Sequence, residues 1–394
     1  MKDVALSSPT RVGSVTRVVG TAVAVTIASV LPVFLVGGLA VQIRRELHFS
    51  PAGLGLAVAA YFGASALAAV PAGHAVERFG SARTSRIAVA ISAATLLAIG
   101  LVAHSYLVLL ALLAVGATTN ALGQLAANLL LAHGVPVQRQ GVIFGLKQSA
   151  VPLATLLSGA AVPALALTVG WRWAFILAAG CALGVVALIP RDAGDARSRR
   201  PAAQHRRSTA PLVVVAVAAA LAAGGANALG AFVVDSSVHR GLPPSAAGLV
   251  LTFGSAVCVT ARLLGGWIAD RRRGDHLIMV TVLLGLGSVG LALLALPTTV
   301  ALVVGVVLAF GLGWSWPGVM NFAIVQLNPE APAAATSITQ TGVYAGGFIG
   351  PLGFGALATQ RGYPTAWTVA AASMLAAAGL MLVGRRMVSR SGRR

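Results

Sequence analysis

Apolar runs of about twenty residues recur along this chain, separated by short polar breaks. A bilayer core of roughly 30 Å needs about 20 apolar residues per helix. Twelve stretches meet that length: 18–41, 52–72, 86–103, 106–132, 142–167, 171–189, 211–234, 246–268, 276–296, 298–326, 334–358 and 364–383. The first is too long for a signal-peptide core and lacks a cleavage site, so it is predicted to remain as a span. The expected fold is an all-α membrane protein of twelve transmembrane helices. Six-helix bundles would occupy 18–189 and 211–383. A tail would cover 1–17, a linker 190–210 and a second tail 384–394. An even number of spans puts both termini on one face.

Charge decides which face that is. Only 9% of the 394 residues are charged, against about a quarter in soluble domains. The net charge of +19 raises the question of nucleic acid, but binders of that kind spread cations over a soluble face with aromatics between them. Here the arginines stand in short runs between apolar stretches, as at Arg271 to Arg273, so a lipid bilayer and not nucleic acid is the expected partner. With the N-terminus inside, 21 Lys/Arg fall on inner segments and 5 on outer loops. The positive-inside rule then predicts cytoplasmic termini in a bacterial inner membrane. Cys181 and Cys258 lie in apolar segments and read as small buried hydrophobes.

The two halves also repeat each other. Gly73-x3-Glu77-Arg78 matches Gly266-x3-Asp270-Arg271 at an offset of 193, and Asn128-x7-Pro136 matches Asn321-x7-Pro329 at the same offset. Gly170-Trp171-x2-Ala174-Phe175 matches Gly362-Tyr363-x2-Ala366-Trp367 at 192. With six spans per half, the halves keep one orientation, a parallel repeat about an axis along the membrane normal.

The loop after the second span, Gly73-x3-Glu77-Arg78-x-Gly80-x2-Arg83, resembles the loop motif of the major facilitator superfamily. It departs from that motif at Glu for Asp and at Ala82 for a basic residue. The copy after the eighth span keeps Gly266, Asp270 and Arg271 and loses the later glycine register. The resemblance covers essentially the whole chain and implies a monomeric permease working by rocker-switch alternating access. It also implies that Glu77 and Asp270 latch one face of the protein near helix N-termini of the opposite half. Arg78, Gly80, Arg83 and Arg271 complete the motif, while Gly73 and Gly266 would let helices approach closely.

Polar residues are costly in lipid, so their distribution predicts which helices line a cavity. Spans 3, 6, 9 and 12 have no Asn, Gln or charged residue in their cores and should face lipid. Span 4 carries Asn120, Gln124 and Asn128 at i, i+4 and i+8 on one face. Spans 7 and 10 add Asn227, Asn321 and Gln326, with Trp314 and Trp316 beside them. Arg262 lies near mid-membrane in span 8, and Lys147, one of only two lysines, lies in span 5. All nine acids fall in loops, tails or span ends, with Asp235 nearest to the membrane interior. A net-positive chamber predicts an anionic solute held by Arg262 and Lys147. Gln148, Gln340, Asn120, Gln124 and Asn227 would complete the site. Arg262-x3-Gly266-x3-Asp270 is loosely similar to the eighth span of monocarboxylate and oxalate-type porters in the superfamily.

An efflux pump for drugs or hydrophobic metabolites is the alternative. Its hallmark Gly-x3-Gly-Pro is degenerate in span 5, Gly145-x3-Ser149-x2-Pro152, and better matched in span 11 by Gly346-Gly347-x2-Gly350-Pro351. The seven histidines form no ligand cluster, so no metal, cofactor or enzyme activity is expected. A proton or an exchanged anion could drive the cycle, and uniport stays open as well.

Overall fold

The computed structural model describes residues 12–134, 140–189, 210–271, 274–328 and 332–391. Among them every regular element is helical. The first half holds α1 (Val12–Gly38), α2 (Ala40–Leu47), α3 (Pro51–Val102), α4 (Tyr106–Gly134), α5 (Gln140–Gln148), α6 (Ala150–Ala161) and α7 (Trp171–Leu188). The second holds α8 (Ala210–His239), α9 (Pro244–Arg271), α10 (His276–Leu293), α11 (Thr299–Leu308), α12 (Trp316–Leu327), α13 (Pro332–Arg361) and α14 (Tyr363–Ser391). The predicted linker, apart from Ala210, lies outside the described residues.

Among the described residues ten helical stretches are long and apolar enough to cross a membrane. One of them, α3, has 52 residues and would reach about 78 Å if straight, far beyond a bilayer. It doubles back at Gly80, whose φ of 76° and ψ of 164° break the helix. That region is nearly closed to other residues, so Gly80 is the pivot between spans 2 and 3. The thirty-residue α13, of lower hydropathy, is span 11 and brings the number to twelve. Spans 5 and 10 are interrupted: α5 gives way to α6 at Ser149, and α11 passes through a π-helical turn, Ala309–Gly313, before α12.

The duplication seen in the letters is present in the backbone. His48 (φ 53°) and Gly241 (φ 96°) take left-handed conformations between the first two spans of each half, 193 residues apart. Gly170 (φ 102°) and Gly362 (φ 84°) do so before the last span of each half. Two boundaries differ from expectation. The first helix starts at Val12 and the last runs to Ser391, so most of the expected second tail is helix. Arg385 and Arg386 sit in the last turns of α14, where cations suit the helix dipole, and Arg385 pairs with Asp275.

Spans 1 and 7 are the most enclosed, with 72% and 67% of their apolar stretches buried, against 33% for span 6 and 39% for span 9. Span 8 at 39% and span 4 at 44% are no more enclosed than these. Exposure alone therefore does not separate lipid-facing from cavity-lining helices, and the polar stripe on α4 remains the discriminating feature.

The two halves meet mainly toward the face opposite the termini, along three glycine seams. A Cβ on Gly37 would lie 2.9 Å from Ala231 Cα, joining spans 1 and 7. One on Gly55 would lie 2.3 Å from Pro351 O, joining spans 2 and 11, and one on Gly159 would lie 2.6 Å from Gly248 O, joining spans 5 and 8. Only glycine permits such backbone approach. Arg44 and Asp235 add an ion pair at 2.5 Å across the first seam, and Thr155 and Ser255 share a hydrogen bond of 2.7 Å across the third.

Candidate functional site

Two cations lie buried where spans 4, 5, 8 and 10 converge. Arg262 on α9 is 3% exposed and Lys147 on α5 is 4% exposed. The Arg262 guanidinium donates from Nε (3.1 Å) and Nη2 (2.7 Å) to Trp314 O, and from Nη1 to Gln148 O. The partner carbonyls follow from the breaks in spans 5 and 10. Residue 152 would normally donate its N–H to Gln148 O, but Pro152 has none, while Leu153 N continues the ladder to Ser149 O. Trp314 stands between the π-helical turn and α12, with φ −116° and ψ 2°. Arg262 thus fills carbonyls exposed where two helices are interrupted, and it joins α9 of the second half to α5 of the first.

Lys147 precedes the residue whose carbonyl Arg262 holds, and its Nζ donates to Gln124 Oε1 on α4. One turn away, Asn120 donates to Ser65 Oγ at 3.2 Å, and its buried Oδ1 has no partner. Along the α4 stripe Asn120 is buried, Gln124 half-buried and Asn128 exposed. Accessibility thus rises toward the face that carries the termini.

The remaining predicted site residues are placed less closely. Gln148 joins the cluster through its carbonyl, its side chain being half-buried. Asn227 turns its amide back onto its own helix, to Ala223 O at 2.8 Å. Gln340 on α13 is half-buried. Trp314, which sequence reasoning weighed only as a side chain, contributes its carbonyl. Its ring packs between Phe34 and Phe310, with centroids 6.0 and 5.7 Å away. No side-chain signal could have pointed to that carbonyl, although Pro152 and Pro317 mark where helix bonding fails.

The motif residues are asymmetric. Asp270 Oδ2 accepts from Val142 N at 2.9 Å, in the first turn of α5 of the opposite half. Glu77 is exposed and has no such contact among the described residues. Arg78 lies over the Phe79 ring at 5.5 Å, Arg271 lies over Trp267, and Arg83 is exposed. Gly266, expected to allow close helix approach, faces the first half, its Cα lying 3.6 Å from where a Gly145 Cβ would sit, an ordinary van der Waals distance. The same expectation for Gly73 is not met. A Cβ there would meet nothing within 4 Å. No cluster of three or more metal-ligating side chains occurs among the described residues.

The fold has a close solved counterpart. A bacterial homolog of the human lysosomal transporter Spinster, described as inward-facing and occupied, superimposes with a TM-score of 0.69 at 17% identity, over 98% of each chain. No curated protein matches the sequence. The family model of the Major Facilitator Superfamily matches residues 22–351 and again 215–394. With twelve spans in two parallel repeats and that match across both halves, the chain belongs to the major facilitator superfamily of membrane transporters.

Proposed function

We propose that this transporter carries a small organic anion by rocker-switch alternating access, and that Lys147 is the charge partner of the solute. The observation that carries the reading is the pairing of two buried cations with no carboxylate in contact with either among the described residues. Arg262 has three donor contacts to backbone oxygens, so its charge is solvated but not neutralised. Lys147 has the neutral amide of Gln124 as its partner, which leaves it the freer of the two to meet an anion. An ionised side chain at such depth costs at least about 2.5 kcal/mol on insertion scales, and a bound carboxylate would offset part of that. Gln124, Gln148 and Asn120 would supply neutral donors around it, and the graded exposure of the α4 stripe gives a route from the termini-bearing face. On the charge distribution of the sequence, that face is cytoplasmic.

Thermal unfolding of the purified protein with mono- and dicarboxylates, and separately with lipophilic cations, tests this. A carboxylate at a hundredfold excess over Kd should stabilise by about 2.7 kcal/mol, and Lys147→Gln should remove the shift. Carboxylates that leave wild-type melting unchanged, or a shift that survives in Lys147→Gln, would overturn the proposal. The aromatic packing of Phe34, Phe310 and Trp314 beside Arg262 favours a second reading, export of a hydrophobic compound. Stabilisation by lipophilic cations alone would establish that alternative.

A further inference from the structure

At the termini-bearing end of the second half, α9 and α10 frame a groove of about 400 Å³ lined by Trp267, Ile268, Arg271 and Met279. Trp267 and Arg271 are four residues apart on α9 and share a face. The guanidinium carbon of Arg271 lies 3.8 Å from the Trp267 ring centroid, and the indole is 47% exposed. Both neighbouring carboxylates are already engaged. Asp270 accepts from Val142 N, while Asp275 accepts from Leu277 N at 3.1 Å and pairs with Arg385. Arg271 therefore has an aromatic face and no carboxylate among the described residues, and the sequence continues with Arg272 and Arg273.

We propose that this groove binds one anionic phospholipid from the leaflet at that face. Its phosphate would sit on Arg271 and its acyl chain along Trp267, Ile268 and Met279. Three properties select that occupant. A guanidinium matches phosphate in a bidentate fork, and Trp settles at headgroup level in a bilayer. The other walls are apolar, which suits a chain and offers nothing to a free ion. A net negative headgroup is preferred over a zwitterion because the adjacent run of three arginines would repel a choline.

The test uses the full-length protein in lipid vesicles doped with phosphatidylglycerol that carries a photoactivatable acyl chain, followed by peptide mapping. Label is expected on the segment 267–279, displaced by unlabelled phosphatidylglycerol but not by phosphatidylcholine or inorganic phosphate. Arg271→Gln should lower it about fivefold, the equivalent of one surface cation. Trp267→Ala should lower it too, and Arg271→Lys, which keeps the charge but loses the fork, should lower it less than Arg271→Gln. Arg17→Gln, a cation on the same face of the other half, should leave it unchanged. Uniform labelling along the chain, equal displacement by phosphatidylcholine, displacement by inorganic phosphate, or insensitivity to Arg271→Gln would each overturn the proposal.

Discussion

Replacing Arg262 with Met keeps the volume of the side chain while removing three donated hydrogen bonds, two to Trp314 O and one to Gln148 O. Hydrogen bonds between membrane helices are worth about 0.6 kcal/mol on average and at most about 1.7, so the loss should be about 2–5 kcal/mol. Transport would also fail, but that outcome does not distinguish a ligand-binding arginine from one that holds helices together. Pro152→Ala makes the distinction, because it gives residue 152 an N–H aimed at Gln148 O. In the wild-type background that donor is redundant. In the Arg262→Met background it meets an orphaned carbonyl. The two substitutions should therefore couple by about one hydrogen bond, about 0.6–1.7 kcal/mol, with Pro152→Ala the more stabilising when Arg262 is gone. Unfolding in mixed detergent micelles of the wild type, both single variants and the double variant measures this. Additivity within about 0.3–0.5 kcal/mol would refute the view that Arg262 fills the gap left by Pro152.

Gly248→Ala places a Cβ 2.6 Å from Val162 Cβ and 2.7 Å from Gly159 O. The strain of about 1–3 kcal/mol acts only while the seam of spans 5 and 8 is shut, so the equilibrium should move about five- to 150-fold toward opening at that face. Spin labels at Arg45 and His239, with Cys181 and Cys258 replaced, should then report a longer distance population, and Gly184→Ala, with open space around it, should not. Asp270→Asn weakens the acceptor of Val142 N and should reduce turnover more than solute binding in a proteoliposome assay; equal losses in both would count against a latch. Glu46 is held below its usual value near 4.5, chiefly by its hydrogen bond from Arg172. A lowered carboxylate contributes stability above that value and loses it as pH falls through the folded value. Melting temperature should therefore drop in acid below about pH 4.5, and Glu46→Gln should flatten that slope.

The architecture was legible because its determinants are repeated and additive. Twelve apolar runs and a parallel duplication each constrain the backbone through bulk properties: transfer of apolar residues and a shared motif. The contact of Asp270 with a helix start, where it accepts from Val142 N, was expected only from the resemblance of its loop to the superfamily motif, not from the residues by themselves. Gly73 misled because a motif glycine can owe its place either to packing or to chain geometry, and only neighbours tell these apart. The joining of spans 2 and 3 by a single non-helical residue was not readable either. Polar loop residues such as Glu77 and Arg78 continue a helix as readily as they end one.

Nine acids, all outside the spans, implied that a cation at mid-membrane must await an anion. The competing partner for Arg262 is the backbone carbonyl, and that is what it meets. A membrane helix interrupted by proline also leaves main-chain oxygens without donors, and each is an acceptor fixed in place by the fold. Arg262 meets one such oxygen on α5 and a second beside α12, where the π-helical turn ends at Trp314, so its charge is solvated from within the protein before any solute arrives. Lys147 does not share that advantage. Its residue lies inside α5, one position before the carbonyl that Pro152 leaves open, and the partner it finds is the side chain of Gln124 on the polar stripe. A side-chain amide can rotate away when a stronger acceptor comes, whereas a backbone carbonyl can be released only by moving a helix. The difference divides the two cations by what can compete for them: a solute for Lys147, and a rearrangement of the halves for Arg262.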